Sequence, residues 1–226
     1  MSAPSPAKGP PHRTVLYGRY ARLEPIGRQH LADLYRASRD GDAAQRFTYL
    51  FGHQPQSEAE LAAEIDKAAA LDDPLTFAVI DTATNAAEGR QSLMRIVPEH
   101  GVIEVGGIYW GPRLARTRAA TEALYLHARY AFDTLGYRRL EWKCNNLNEP
   151  SKAAARRFGF TFEGVFRQHM IVKGQSRDSA WFSILDSEWP RLKAEYERWL
   201  DPSNFGPDGL QRTRLRFGAR VGAPHS

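Results

Sequence analysis

The sequence predicts an α/β fold, a mixed β-sheet with helices on both of its faces, from three observations. Apolar residues recur with a period of two in some segments and near 3.6 in others, giving the order β-α-α-β-β-β-α-β-α-β-β-α. Gly, Pro and Asn punctuate that alternation as turns do. A chain of 226 residues with 42% hydrophobic and 11% aromatic side chains can also bury a sizeable core, and reads as one domain.

The elements follow in chain order. "VLYGRYARLEP" alternates like a half-buried strand, and "RQHLADLYRASRD" puts Leu31, Leu34 and Tyr35 on one helical face. "SEAELAAEIDKAAAL" opens with Ser57 and Glu60 in capping-box spacing and keeps helical period through Leu61, Ile65, Ala68 and Leu71. "LTFAVID" and "GRQSLMRIVP" read as strands, and "GVIEVGGIYW" as a third, bulged or splayed at Gly106 and Gly107. Thr117 to Leu135 forms the clearest amphipathic helix, stopped by Gly136. "RRLEWKC" is a strand, and Pro150 to Phe158 a short helix begun by Pro and ended by Gly159. "FTFEGVFRQHMIV" and "SRDSAWFSILD" are strands joined at Lys173-Gly174, and a last helix covers Trp189 to Leu200.

Composition divides the chain into a Pro- and Ser-rich leader over 1–14, expected to be disordered, a domain over 15–200, and a tail over 201–226 expected to be extended. The net charge of +5 is modest, and the tail carries Arg212, Arg214, Arg216 and Arg220 with only Asp208 nearby. Without interleaved aromatics or a reader motif, that tail reads as solvated and not as a nucleic-acid surface. One cysteine, Cys144, excludes an intrachain disulfide framework and a thiolate metal site, and its place at the end of an apolar strand reads as core. No metal is expected. With neither a secretory signal nor a bilayer-spanning apolar run, the chain is expected in the cytoplasm, free of membranes.

Chemistry gathers in two stretches. "GPRLARTRAATEA" runs from strand to helix and brings Arg113, Arg116 and Arg118 to a helix N-terminus, where free amides and the dipole attract an anion. Guanidinium forks there would bind phosphate, although three arginines can also merely solvate a loop. The second stretch is "CNNLNEPSKAAARRFGF", an Asn-rich turn, the spacing N-x-x-S, a short helix and an aromatic ending.

This order of strand, arginine loop, helix, strand, N-x-x-S helix and "RRFGFTFEG" resembles the GNAT (Gcn5-related) N-acetyltransferases over roughly residues 15 to 188, and within them the enzymes acting on the N-termini of ribosomal proteins. The resemblance implies the GNAT fold, with its sheet splayed at the cofactor site, acetyl-CoA as donor and a primary amine as acceptor, either a small molecule or a protein N-terminus. It implies coenzyme contacts from the backbone of Ile108, Tyr109 and Trp110, from the loop through Arg113, Arg116, Thr117, Arg118, Ala119 and Ala120, and from Asn148, Ser151 and Lys152. The family's phosphate-loop glycine falls on Arg118, so that residue is expected to adopt a compatible turn or to bind phosphate with its side chain. An ammonium must lose its proton before it can attack, and Glu104 is the candidate base, unless it faces outward or pairs with an arginine. Ser151 is the candidate donor to the departing thiolate, or a helix cap. Tyr49 and Phe51 would border the acceptor site, with Arg167 and His169 in its groove favouring an acceptor that carries a negative group. His127 reads as packing. A distal carboxylate on the donor, as in succinyl-CoA, fits an arginine in the groove equally, and a binding domain without turnover is the rival reading. Homodimers are common among similar proteins, but no apolar stripe here demands one.

Overall fold

The computed structural model describes residues 5–217. The first expected strand folds as two short ones, β1 (Leu16–Tyr17) and β2 (Ala21–Pro25). They part because the Glu122 carboxylate, reaching across from a later helix, accepts the backbone amides of Arg19, Tyr20 and Ala21. Then come α1 (Leu31–Ala37), a single turn α2 (Ala43–Arg46) that sequence periodicity did not reveal, and α3 (Glu58–Ala70). Ser57 caps α3 by accepting the Glu60 amide, while the Glu60 carboxylate takes the amide of Gln56.

Three strands follow, β3 (Leu75–Asp81), β4 (Ala86–Val97) and β5 (Val102–Trp110). The long helix α4 (Arg118–Arg129) continues through a π turn over Tyr130–Thr134 and ends at Gly136, whose φ of +73° suits a residue without Cβ. The chain closes with β6 (Arg139–Asn145), α5 (Glu149–Arg157), β7 (Thr161–Val172), β8 (Gln175–Leu185) and α6 (Trp189–Leu200).

The sheet order is β1-β2-β3-β4-β5-β6-β8-β7, antiparallel throughout except for β5 beside β6. That parallel contact is short. Val102, Ile103 and Glu104 face Arg139, Leu140 and Glu141, after which the strands diverge and β6 stays with β8. The expected break at the glycine pair is a bulge in the β4–β5 ladder. A Cβ at Gly106 would lie 2.5 Å from Met94 Sδ, and Gly107 turns at φ +58°. Helices cover both faces. Ile103, Val105, Leu140, Trp142 and Phe182 pack with Leu124 of α4 and Tyr196 of α6, while Ala78 and Ile80 pack with Leu34, Leu61 and Ile65 on the other side.

Both ends depart from expectation within the described residues. The amides of Ala7 and Lys8 bond the carbonyls of Pro98 and Leu135, so this part of the leader lies along the body. In the tail, Phe205 and Leu215 are buried and Phe217 packs on the same core, while Asn204 ties the segment to Trp199 and Thr213. Three apolar anchors in an Arg-rich stretch thus outweigh its composition. Residues 1–4 and 218–226, Arg220 among them, lie outside the described residues. Among those described, no helix is long and apolar enough to cross a membrane.

His127 of α4 is fully buried against Phe77, with Nδ1 3.1 Å from Gln91 Nε2. Burial lowers its pKa to about 3, so the folded protein holds it neutral. A depressed folded-state pKa contributes stability above the unfolded value of about 6.5 that is lost as pH falls towards about 3. Urea unfolding should therefore show a loss from this residue of about 1.4 kcal/mol between about pH 7.5 and about pH 5.5. His127→Leu should remove that share of the slope, whatever its own stability.

Candidate active site

The divergence of β5 from β6 creates the site. Beyond Glu104, β5 has no strand on its β6 side among the described residues, so the backbone of Val105–Trp110, including Ile108, Tyr109 and Trp110, presents an open edge. The side chains of that edge are committed elsewhere. Tyr109 stacks on Phe47 at 4.6 Å and donates its hydroxyl to Ala37 O, and Trp110 Nε1 donates to Gln91 Oε1. Only their main chain is available to a ligand.

At the end of β5 the arginine loop folds back on itself, with the amides of Leu114 and Ala115 on Gly111 O and that of Thr117 on Leu114 O. Thr117 caps α4 by accepting the Ala120 amide. Among the described residues, the amides of Arg116, Arg118 and Ala119 donate to no protein group. Free amides at the positive end of a helix dipole are the kind of donors that attract an anion. The basic side chains offered by the sequence mostly have partners of their own. Arg113 pairs with Asp40 at 3.2 Å, Arg118 stacks on Tyr20 and Phe205 at 4.3 and 5.2 Å, and Lys152 pairs with Glu149 at 2.6 Å. Main-chain amides are thus offered to an anion beside the Arg116 guanidinium, which pairs with no carboxylate among the described residues. The left-handed residue is Arg116, at φ +67°, two positions before the residue aligned with the family glycine.

Across the split lies α5. Its cap is Asn148, whose Oδ1 accepts the Ser151 amide at 3.1 Å, and not Ser151. The Ser151 hydroxyl accepts from Trp142 Nε1 at 3.0 Å, which leaves its own proton for another acceptor. Cys144, buried beside it, has its thiol pKa raised by burial and is no thiolate nucleophile. Arg157 bridges the two helices by donating to Thr121 Oγ1 of α4.

The opposite face of the sheet carries the charges. Glu104 is 5% exposed, and its Oε2 lies 2.9 Å from Lys143 Nζ and 3.6 Å from Arg95 Nε. Lys143 also meets Glu141 at 2.8 Å and stacks on Trp181 at 3.7 Å, and both of its carboxylate contacts are off the line of a hydrogen bond. Burial raises the Glu104 pKa above the usual carboxylate value, and the pull of Lys143 and Arg95 only partly offsets it. Along β8, Arg177, Ser179 and Trp181 continue this face, and His169 Nδ1 lies 2.9 Å from Ser179 Oγ. Burial and the cations Arg95, Arg177 and Lys143 lower the His169 pKa.

The turn after α2 closes over this face. Lys173, at the β7–β8 tip, donates to Phe47 O, and exposed Phe51 covers the Arg177 guanidinium at 5.0 Å. Phe51 therefore lies on Arg177, and His169 beside Ser179 of the same face. Tyr49 is half-buried two residues earlier, and Arg167 is exposed within the irregular stretch of β7 between Phe166 and Met170 that also holds His169. Sequence reasoning missed Lys143, Glu141 and Arg177. Strand alternation with Trp181 was their only signal. Among the described residues no group of acidic, His and Cys side chains could hold a metal.

The family model described as "Acetyltransferase (GNAT) domain" matches residues 21–161. The chain is similar to a GCN5-related N-acetyltransferase from Brucella melitensis, with 56% identity over 93% of this chain and 96% of that one, and a TM-score of 0.91. It is similar to a probable GNAT-family acetyltransferase from Chromobacterium violaceum at 36% identity over 84% and 95% of the two chains, with a TM-score of 0.77. A putative ribosomal-protein-serine acetyltransferase from Vibrio cholerae shares the fold at 20% identity over 76% and 97%, with a TM-score of 0.67. No curated protein matches the chain.

The left-handed backbone of Arg116 costs roughly 1 kcal/mol that glycine would not incur. Arg116→Gly should therefore raise the melting temperature by a few degrees, read by differential scanning calorimetry.

Proposed function

The chain belongs to the GNAT acetyltransferase family and is an N-acetyltransferase; from that premise we propose that it moves the acetyl group of acetyl-CoA to a primary amine by direct attack on the thioester. One observation carries this reading: the split between β5 and β6 has an amide-lined edge and a free helix N-terminus on one side, and a buried carboxylate of raised pKa where the strands part. The residues present fit the coenzyme. The amides of Arg116, Arg118 and Ala119 would hold its pyrophosphate, the open edge of β5 its pantetheine arm, and Asn148 fixes the helix that carries Ser151.

Bound acetyl-CoA supplies the electrophilic thioester carbon. Glu104 accepts a proton from the ammonium, directly or through water, and frees the nitrogen lone pair. Main-chain amides at Ile108 to Trp110 donate to the carbonyl oxygen as it gains charge. As the C–N bond forms and the C–S bond breaks, the Ser151 hydroxyl, already oriented by Trp142, donates to the departing sulfur. Lys143 and Glu141 hold Glu104 in place while its raised pKa keeps it a competent base. The acceptor approaches from the face covered by Phe51.

Two measurements test this reading. Calorimetric titration should give micromolar acetyl-CoA binding that Glu104→Gln leaves unchanged, while the same variant lowers kcat by at least about 100-fold. Because burial raises the pKa of Glu104, the wild-type rate should be retained at high pH and lost as pH falls through a value above about 4.3, the ordinary carboxylate range. That acid limb should vanish in Glu104→Gln. An unaltered rate in the variant would remove Glu104 from the chemistry, and binding without turnover in the wild type would favour a domain that only binds acyl-CoA.

A further inference from the structure

Arg177 is 6% exposed, yet among the described residues no carboxylate lies within ion-pair distance of its guanidinium and its Nε has no hydrogen-bond partner. Other partly buried arginines have carboxylate partners: Arg36 pairs with Glu88, and Arg139 with Glu141 and Glu163. Lys143, the nearest buried cation on this face, already has two carboxylates. A buried charge without a counter-ion costs several kcal/mol, which the Phe51 ring and the more distant Glu104 carboxylate offset only in part. The missing partner is an anion from outside.

The surroundings of Arg177 define that anion. The Phe51 ring covers the guanidinium, so hydrogen bonding is left to its edge, which suits a flat two-oxygen group. Arg177 shares its face with Glu104, the group that would receive an ammonium proton, and with the exposed ring of Phe166 beside Trp181. An ammonium at Glu104 and a carboxylate at Arg177 together describe a zwitterion. We infer that the acceptor is a small amine bearing a carboxylate, an amino acid or a close analogue, whose carboxylate is held by Arg177. This rests on the transferase reading above, and it sets aside a protein N-terminus, whose carboxyl is spent in a peptide bond.

The test uses the full chain and a panel of the standard α-amino acids with β-alanine and 4-aminobutyrate, each beside its carboxamide. Turnover with acetyl-CoA is measured, together with calorimetric binding of the same panel to the complex with CoA. At least one carboxylate should be favoured over its amide by roughly 10- to 100-fold in kcat/KM, and Arg177→Met should erase that preference while keeping acetyl-CoA affinity. Arg177→Met should also melt no lower than the wild type, since it replaces an unpaired buried cation with an apolar side chain of similar length.

Carboxylate-dependent binding that Arg177→Met abolishes, without turnover, would support the Arg177 site and defeat the transferase reading instead. Equal use of amides and acids, a preference that survives in Arg177→Met, or faster acetylation of Ser-initiated peptide amides would overturn the inference. So would a marked fall in melting temperature, which would show that the guanidinium holds the fold together. Faster transfer from succinyl-CoA to the amides, lost in Arg177→Met, would move the carboxylate from acceptor to donor and overturn it as well.

Discussion

Everything distinctive in this protein depends on β5 and β6 pairing for three residues and then parting. A parallel pair that continued would consume the main-chain groups of Val105–Trp110 in a ladder and close the sheet. Two features hold the strands apart. The Gly106-Gly107 bulge redirects β5 towards β4, and β6 is drawn to β8 through seven paired positions from Arg139 to Asn145. The main-chain groups left unpaired along that edge are open to a ligand, which is the physical basis of the proposed site.

Electrostatics divides the two sides of that opening. On the helix side the attraction for an anion comes from main-chain amides, the α4 dipole and Arg116, while Arg113, Arg118 and Lys152 are engaged by Asp40, aromatic rings and Glu149. On the other side, Glu104 and Glu141 share Lys143, Glu141 also pairs with Arg139, and Arg95 lies at the rim. Arg177, buried on this face, pairs with no carboxylate among the described residues. One side thus offers main-chain donors suited to an anion, and the other places charges of both signs on one face.

Much of this was legible in the sequence. Helical period and caps located α3, α4 and α5, and two adjacent glycines in an apolar strand marked the bulge that opens the sheet. What escaped depends on partners distant in the chain. Glu122 splits the first strand from 101 to 103 residues away, and Phe205 and Leu215 anchor a tail whose composition is that of a solvated one. The left-handed turn falls at Arg116 and not Arg118, because Leu114 is drawn into the core and the loop must return to reach Thr117. Arg177 was invisible for the same reason: a charge reads as exposed until the sheet that buries it is assembled.

Hydrogen exchange with and without acetyl-CoA tests the central claim most directly, because the claim concerns particular amides. Protection should rise in two separate segments, 105–110 of β5 and 116–119 at the start of α4, with little change in the β7–β8 hairpin. Protection confined to other segments, or none at saturating acetyl-CoA, would contradict a site made by the parting of β5 and β6.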